Sequence, residues 1–187
     1  MLNYNSVIKN EINHESVSIK EISPVIKINV RGKKREFLTN IGKNLNMILP
    51  TEANTSSTSD KLTAIWLSPD EWMIVSNELT SKDTNKYELH EMLFNSISKT
   101  NLGAVIDVTD QFVQLEIKGK KIYDLFSSGS PFNFNEFKER KGSTTQTLLN
   151  NIDVIIHNKD QNYVNLFVRR SFANHLFDWM NDFVLRI

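Results

Sequence analysis

The chain has 187 residues and not one cysteine. Disulfide frameworks, iron–sulfur clusters, thiolate nucleophiles and cysteine zinc sites are therefore excluded. Glycine is scarce, at six residues, and Gly119 and Gly129 stand alone. Neither Gly-x-Gly-x-x-Gly nor Gly-x-x-x-x-Gly-Lys-Ser occurs, so neither common backbone cradle for a dinucleotide or a nucleoside triphosphate is encoded. No apolar run approaches the roughly 20 residues that span a bilayer. The start, Met1-Leu-Asn-Tyr-Asn-Ser-Val-Ile-Lys-Asn10, lacks the basic, apolar, small order of a signal peptide, and a cytoplasmic protein is expected. Charge of one sign is not in excess either: Lys+Arg and Asp+Glu are both 22, a formal net charge of +0. Without a basic block the chain is not built to neutralise phosphates, so neither a nucleic acid nor a membrane is an expected partner. A neutral chain also lacks a protection against association, which suits a surface covered by another protein.

What is present is hydrophobic patterning. Residues 1–15 are polar and aperiodic and read as an N-terminal arm, followed by a single domain over 16–187 in two halves, about 16–100 and 101–187. Val17 and Ile19 alternate with polar residues, and Val25-Ile-Lys-Ile-Asn-Val30 continues the pattern, as strands buried on one face do. Phe37, Ile41, Leu45 and Ile48 recur at helical spacing and predict a helix over 36–49 that ends at Pro50. Strands over 62–67 and 72–76 flank the turn Ser68-Pro-Asp-Glu71, where Pro69 presets φ and Asp70 can cap the backbone. A polar loop ends at Asp83, and Tyr87, Leu89, Leu93, Phe94 and Ile97 predict a second helix. After Gly103 the order recurs: strands 104–108 and 112–117, a short helix 119–126, strands 143–149, 152–157 and 163–168, the last two joined by an Asn158–Asn162 loop, and a final helix through Phe172, Leu176 and Phe183. Two antiparallel sheets, each with helices on one face, make an α+β protein.

The polar residues do not converge on a catalytic pattern. His14, His90, His157 and His175 share no metal-ligand spacing. Asp70-Glu71 sits in a turn, where adjacent carboxylates diverge, and turn capping fits Asp70 better than acid–base work. Asp107 and Asp110 flank Val108-Thr109 at a strand end, where an acid can enter a cleft or cap the turn into Phe112. Arg169-Arg170 precede Ser171, a candidate N-cap of the last helix. Such a pair can hold an anion, bridge to a neighbouring subunit or bridge within the chain. Trp66 and Trp72 bracket a tight turn, so one of them is expected near the surface, where tryptophan favours protein contacts. Arg169, Arg170 and Trp72 are the candidate subunit-interface residues; no catalytic, cofactor-binding or metal-binding residue is assigned.

Four stretches, in order, carry a resemblance: Leu62-Thr-Ala-Ile-Trp-Leu-Ser-Pro-Asp-Glu-Trp-Met-Ile-Val75, Ala104-Val-Ile-Asp-Val-Thr-Asp110, Thr145-Gln-Thr-Leu-Leu149 and Tyr163-Val-Asn-Leu-Phe-Val-Arg-Arg-Ser-Phe-Ala-Asn-His-Leu-Phe-Asp-Trp179. From about Leu62 to about Trp179 the chain resembles the gamma subunit of heterotetrameric sarcosine oxidase. The resemblance implies two ferredoxin-like halves similar to folate-binding aminomethyltransferase-type domains, in reduced form. It implies a structural role in a complex that oxidises sarcosine to glycine with O2 as acceptor and tetrahydrofolate as one-carbon carrier. It also implies alpha, beta and delta partner subunits, with flavins and NAD on alpha and beta and zinc on delta, and no cofactor on this chain alone. The alternative is a free-standing folate-binding or aminomethyltransferase-like protein, for which the chain is short.

Overall fold

The computed structural model describes residues 4–81 and 87–186. In chain order the elements are β1 (Ile12–Asn13), β2 (Ser18–Glu21), β3 (Lys27–Arg31), α1 (Arg35–Leu45), β4 (Ser56–Thr58), β5 (Leu62–Ser68), β6 (Glu71–Ser76), α2 (Glu88–Leu93) running into a π-helical turn (Phe94–Ser98), β7 (Ala104–Asp107), β8 (Phe112–Lys118), α3 (Ile122–Ser127), β9 (Thr144–Leu149), β10 (Ile152–Asp160), β11 (Tyr163–Arg169), a 3-10 turn (Arg170–Phe172) and α4 (Ala173–Val184). All strand pairings are antiparallel, in two sheets ordered β4-β5-β6-β3-β7 and β1-β2-β8-β11-β10-β9. The α+β class read from the alternation is the observed one.

The chain packs as two compact units, one built on Pro24–Asp110 and the other joining Ser6–Ser23 to Gln111–Ile187. These bounds differ from the expected halves because β2 pairs with β8 rather than with its successor β3. The expected arm likewise contains β1 and the buried Ile8 and Ile12. An alternating pattern shows which face of a strand is buried but not which sheet it joins.

In the first unit, period-two alternation places Ile28, Val30, Ala64, Trp72, Ile74 and Val105 on one sheet face, against Phe37, Ile41 and Leu45 of α1 and Leu93 and Ile97 beyond it. Helix α1 stops four residues earlier than the spacing predicts. Asn46 takes a left-handed conformation (φ 49°) and returns its N–H to the Gly42 carbonyl, a C-terminal stop that asparagine tolerates. Ile48, expected on the buried helical face, is consequently 85% exposed. The second predicted helix divides into α2 and the π-helical turn, so Leu93 and Ile97 are buried while Phe94 faces outward. The predicted loop end at Asp83 lies outside the described residues.

In the second unit, the corresponding face carries Val113, Leu115, Ile117, Val154, Ile156, Val164, Leu166 and Val168, covered by α3, α4 and the aromatic run Phe132, Phe134 and Phe137. β9 and β10 join through Asn150-Asn151, both at positive φ, as a two-residue hairpin demands. β10 extends through a bulge to Asp160, leaving Gln161-Asn162 as the turn where a five-residue loop was expected. Asn158, read as part of that loop, is wholly buried and donates from Nδ2 to the Phe137, Lys138 and Arg140 carbonyls. Among the described residues no helix is long and apolar enough to cross a membrane.

Candidate functional site

The second face of the β8-β11-β10-β9 ladder mixes polar and apolar side chains, since period two sends alternate residues there. Register sets them in rows. Phe112 pairs with Arg169, and Asp153 pairs with Leu148; since Val168 pairs with Val154, Asp153 lies beside Arg169. Phe112, Arg169, Asp153 and Leu148 therefore form one row across four strands. The next row is Gln114, Phe167, Ile155 and Gln146, and the third is Glu116, Asn165, His157 and Thr144. The first row borders a cavity of about 620 Å³, whose lining also includes Pro131 and Ile155. Phe112, Leu148, Ile155 and Pro131 make its apolar surface, with Gln146 beside them. Among the described residues, neither Arg169 nor Asp153 makes an ion pair. A second cavity, of about 530 Å³, lies beside the end of α1 in the first unit, among Leu38, Met47, Ile48 and Leu49.

Toward the other end of the ladder is a charge cluster that linear reading missed. Glu116 receives Lys118 Nζ at 2.8 Å and Lys20 Nζ at 3.3 Å, and Tyr163 Oη donates to it at 2.9 Å. Burial alone would raise the Glu116 carboxyl, but the hydrogen bonds from Lys118 and Tyr163 and the Lys118 charge outweigh it and hold it low. Tyr163 is pushed up to about 12, by burial first and then by Glu116. Lys118 also lies 4.6 Å above the Tyr163 ring centroid. The pairing spans three strands, so no local spacing could announce it. His157 is 2% exposed, and burial, helped by the Lys159 charge, lowers its pKa to about 3. It is a neutral, structural histidine.

The remaining candidates take mostly local roles. Asp70 accepts Ser68 Oγ at 2.9 Å and Arg31 Nε at 3.3 Å, and its carboxyl is lowered, chiefly by the Ser68 hydrogen bond. Glu71 instead accepts Asn29 Nδ2 at 2.7 Å, so the two carboxylates engage different partners. Asp107, rather than Asp110, caps its turn, accepting the Thr109 N–H at 2.9 Å. Among the described residues no three of the His, Asp and Glu side chains come together as metal ligands. Ser171 does not cap α4: a 3-10 turn intervenes, and the helix opens at Ala173. Arg169 is exposed at the end of β11, and Arg170 is anchored by its N–H on the Gln111 carbonyl at 2.9 Å.

Trp72 corrects one expectation. It is 2% exposed, stacks on Phe37 at 5.9 Å and donates its indole N–H to the Pro50 carbonyl. Its surface is spent inside its own unit, leaving none for a partner. Its cross-strand neighbour Trp66 is the half-buried member of the pair. Buried Lys27 was not singled out by its strand pattern; its ammonium donates to the Val25 and Thr109 carbonyls at 2.7 and 3.3 Å. The assembled features can bind and orient, but they contain no nucleophile beside a base.

No curated protein matches the chain by sequence. Among solved structures, a chain of the heterotetrameric sarcosine oxidase from Corynebacterium sp. U-96, in complex with pyrrole 2-carboxylate, superimposes with a TM-score of 0.81 at 18% identity, covering 94% of this chain and 88% of that one. Aminomethyltransferase T of the glycine cleavage system from Bartonella henselae superimposes with a TM-score of 0.60 at 17% identity. That match covers 88% of this chain but 45% of the transferase, so the chain spans less than half of it. At these identities the likeness is one of fold. Sequence carries the assignment further: the family model for "Sarcosine oxidase, gamma subunit" (SoxG) matches residues 32–185, well beyond the four stretches that first suggested it, and the chain belongs to that family.

Proposed function

We propose that this chain is the gamma subunit of a heterotetrameric sarcosine oxidase and serves in it as a structural and assembly subunit. The complex converts sarcosine to glycine, with O2 as acceptor and tetrahydrofolate as one-carbon carrier, in the cytoplasm. Its partners are the alpha, beta and delta subunits, and the flavins, NAD and zinc reside on them. The observation that carries this reading is the family match over residues 32–185, joined to a reciprocal fold match covering 94% of this chain and 88% of its counterpart. The alternative, a free-standing aminomethyltransferase-like protein, is supported by a fold match alone, at 17% identity. Arg169 and Arg170, where β11 gives way to α4, are the side chains we assign to the subunit boundary.

Co-expression with the three partner subunits tests this. The expected result is a single complex with one copy of each subunit by size-exclusion chromatography and mass spectrometry. Flavin absorbance is expected in the complex and not in the isolated chain. A well-behaved monomer that ignores its partners would contradict the proposal.

A further inference from the structure

Arg169 of β11 and Asp153 of β10 stand side by side in the first row, both exposed and both on the wall of the cavity of about 620 Å³. Side chains directly opposite on neighbouring strands have their Cβ atoms about 4.5–5.5 Å apart, and opposite charges so placed ordinarily pair. Here they do not. Among the described residues neither side chain makes an ion pair or a side-chain hydrogen bond. The guanidinium keeps its N–H donors and the carboxylate its acceptor sites unspent, while each charge lies near enough to temper the field of the other. The strands hold the pair in place. Arg169 pairs with Phe112 of β8, and the next residue, Arg170, donates its N–H to the Gln111 carbonyl at 2.9 Å. Asp153 pairs with Leu148 of β9. Around the two charges the wall is apolar: Phe112 is half-buried, Leu148 39% exposed and Ile155 buried, with Pro131 beside them.

We propose that this cavity binds a free α-amino acid with an apolar side chain. The carboxylate takes the guanidinium fork of Arg169 through both oxygens, and the ammonium donates to the Asp153 carboxylate. The side chain lies on Phe112, Leu148 and Ile155, in a volume within the range of small-ligand sites. The charge arrangement selects the class. A simple acid drawn to Arg169 is repelled by Asp153, and a simple amine meets the reverse conflict. A molecule with both charges on one carbon satisfies both residues at once. The inference goes beyond the subunit reading and does not depend on it; with Arg169 at a subunit boundary, the ligand is held there.

The test titrates the full chain with L-leucine by calorimetry, and saturable binding at one site per chain is expected. Isocaproate, which is leucine without its ammonium, and isoamylamine, which is leucine without its carboxylate, should each bind about tenfold more weakly or worse. Arg169→Gln should weaken leucine about tenfold or more. Asp153→Asn should weaken leucine and, by removing the repulsion, strengthen isocaproate; a merely structural role for Asp153 would move both ligands alike. Both residues are exposed, so the variants are expected to unfold at the wild-type temperature. In the wild-type chain, leucine should shift the NMR signals of Phe112 and Leu148, a readout that needs no variant. The proposal is overturned if leucine shows no saturable binding up to about 10 mM, if either fragment binds as well as leucine, or if both variants bind leucine as the wild type does. Each of those results leaves the subunit reading as it stands.

Discussion

The indole N–H of Trp72 donates to the carbonyl of Pro50 at 2.8 Å, tying the middle strand β6 to the chain that leaves α1. The same ring stacks on Phe37 of α1, at 5.9 Å and an interplanar angle of 30°. One side chain thus fixes both the body of the helix and the segment that follows it.

Replacing Trp72 separates these contributions. Trp72→Phe keeps an aromatic ring but leaves the buried Pro50 carbonyl without its donor, and is expected to cost about 1–3 kcal/mol. Trp72→Ala also opens a cavity beside Phe37 and should cost about 3–5 kcal/mol. Urea denaturation measures both. A Trp72→Phe protein as stable as wild type would show that the hydrogen bond contributes nothing net.

His157 makes stability depend on pH in a defined window. Its folded pKa of about 3 lies below the ordinary 6.5, so the folded state resists protonation while the unfolded chain accepts it. The sign follows: the contribution is complete above pH 6.5 and is lost as pH falls from there toward 3. The loss approaches about 1.4 kcal/mol per pH unit within that window. His157→Gln, which does not titrate, should show a flatter decline between pH 6.5 and 5, read by denaturation at fixed pH. Parallel curves for the two proteins would mean that the histidine is solvated in the folded state.

Gly119 closes the turn after β8 at φ +138°, a conformation that L side chains rarely adopt. A Cβ there would stand 2.1 Å from the Ser16 carbonyl oxygen and 2.8 Å from Val17 Cα, both backbone atoms that cannot rotate away. Strain and collision together should make Gly119→Ala cost roughly 3 kcal/mol or more, detected as a lowered unfolding temperature. Wild-type stability in that variant would show that the turn relaxes around the methyl group.

Much of this protein is legible residue by residue. Alternation places Val113, Leu115 and Ile117, and Val164, Leu166 and Val168, on one buried face, and the structure keeps them there. Pro69 with Asp70 marks a turn whose flanking residues Ser68 and Glu71 pair in the sheet. These are local signals, since φ preferences and period-two burial act within a few residues. The order of four short stretches was enough to point to the family that the longer match over residues 32–185 confirms.

One miss is a local helix stop; the others turn on partners distant in sequence. Ile48 fits the helical spacing of Phe37, Ile41 and Leu45, yet the left-handed Asn46 ends the helix and leaves Ile48 outside. Asn158 looks like a loop residue until three carbonyls of the 137–140 segment close over its amide. Trp72 suits a surface anchor by its place beside a turn, but Phe37 and Pro50 enclose it. Glu116, Lys118, Lys20 and Tyr163 become a cluster only when β2 and β11 take β8 between them. The row that sets Arg169 beside Asp153 depends in the same way on register. The sequence by itself determined most of the longer elements, the buried face of their strands and the family, because backbone preference and burial are written locally. Only the tertiary structure decided which strands became neighbours, and with that which charges meet and which aromatic side chains are enclosed.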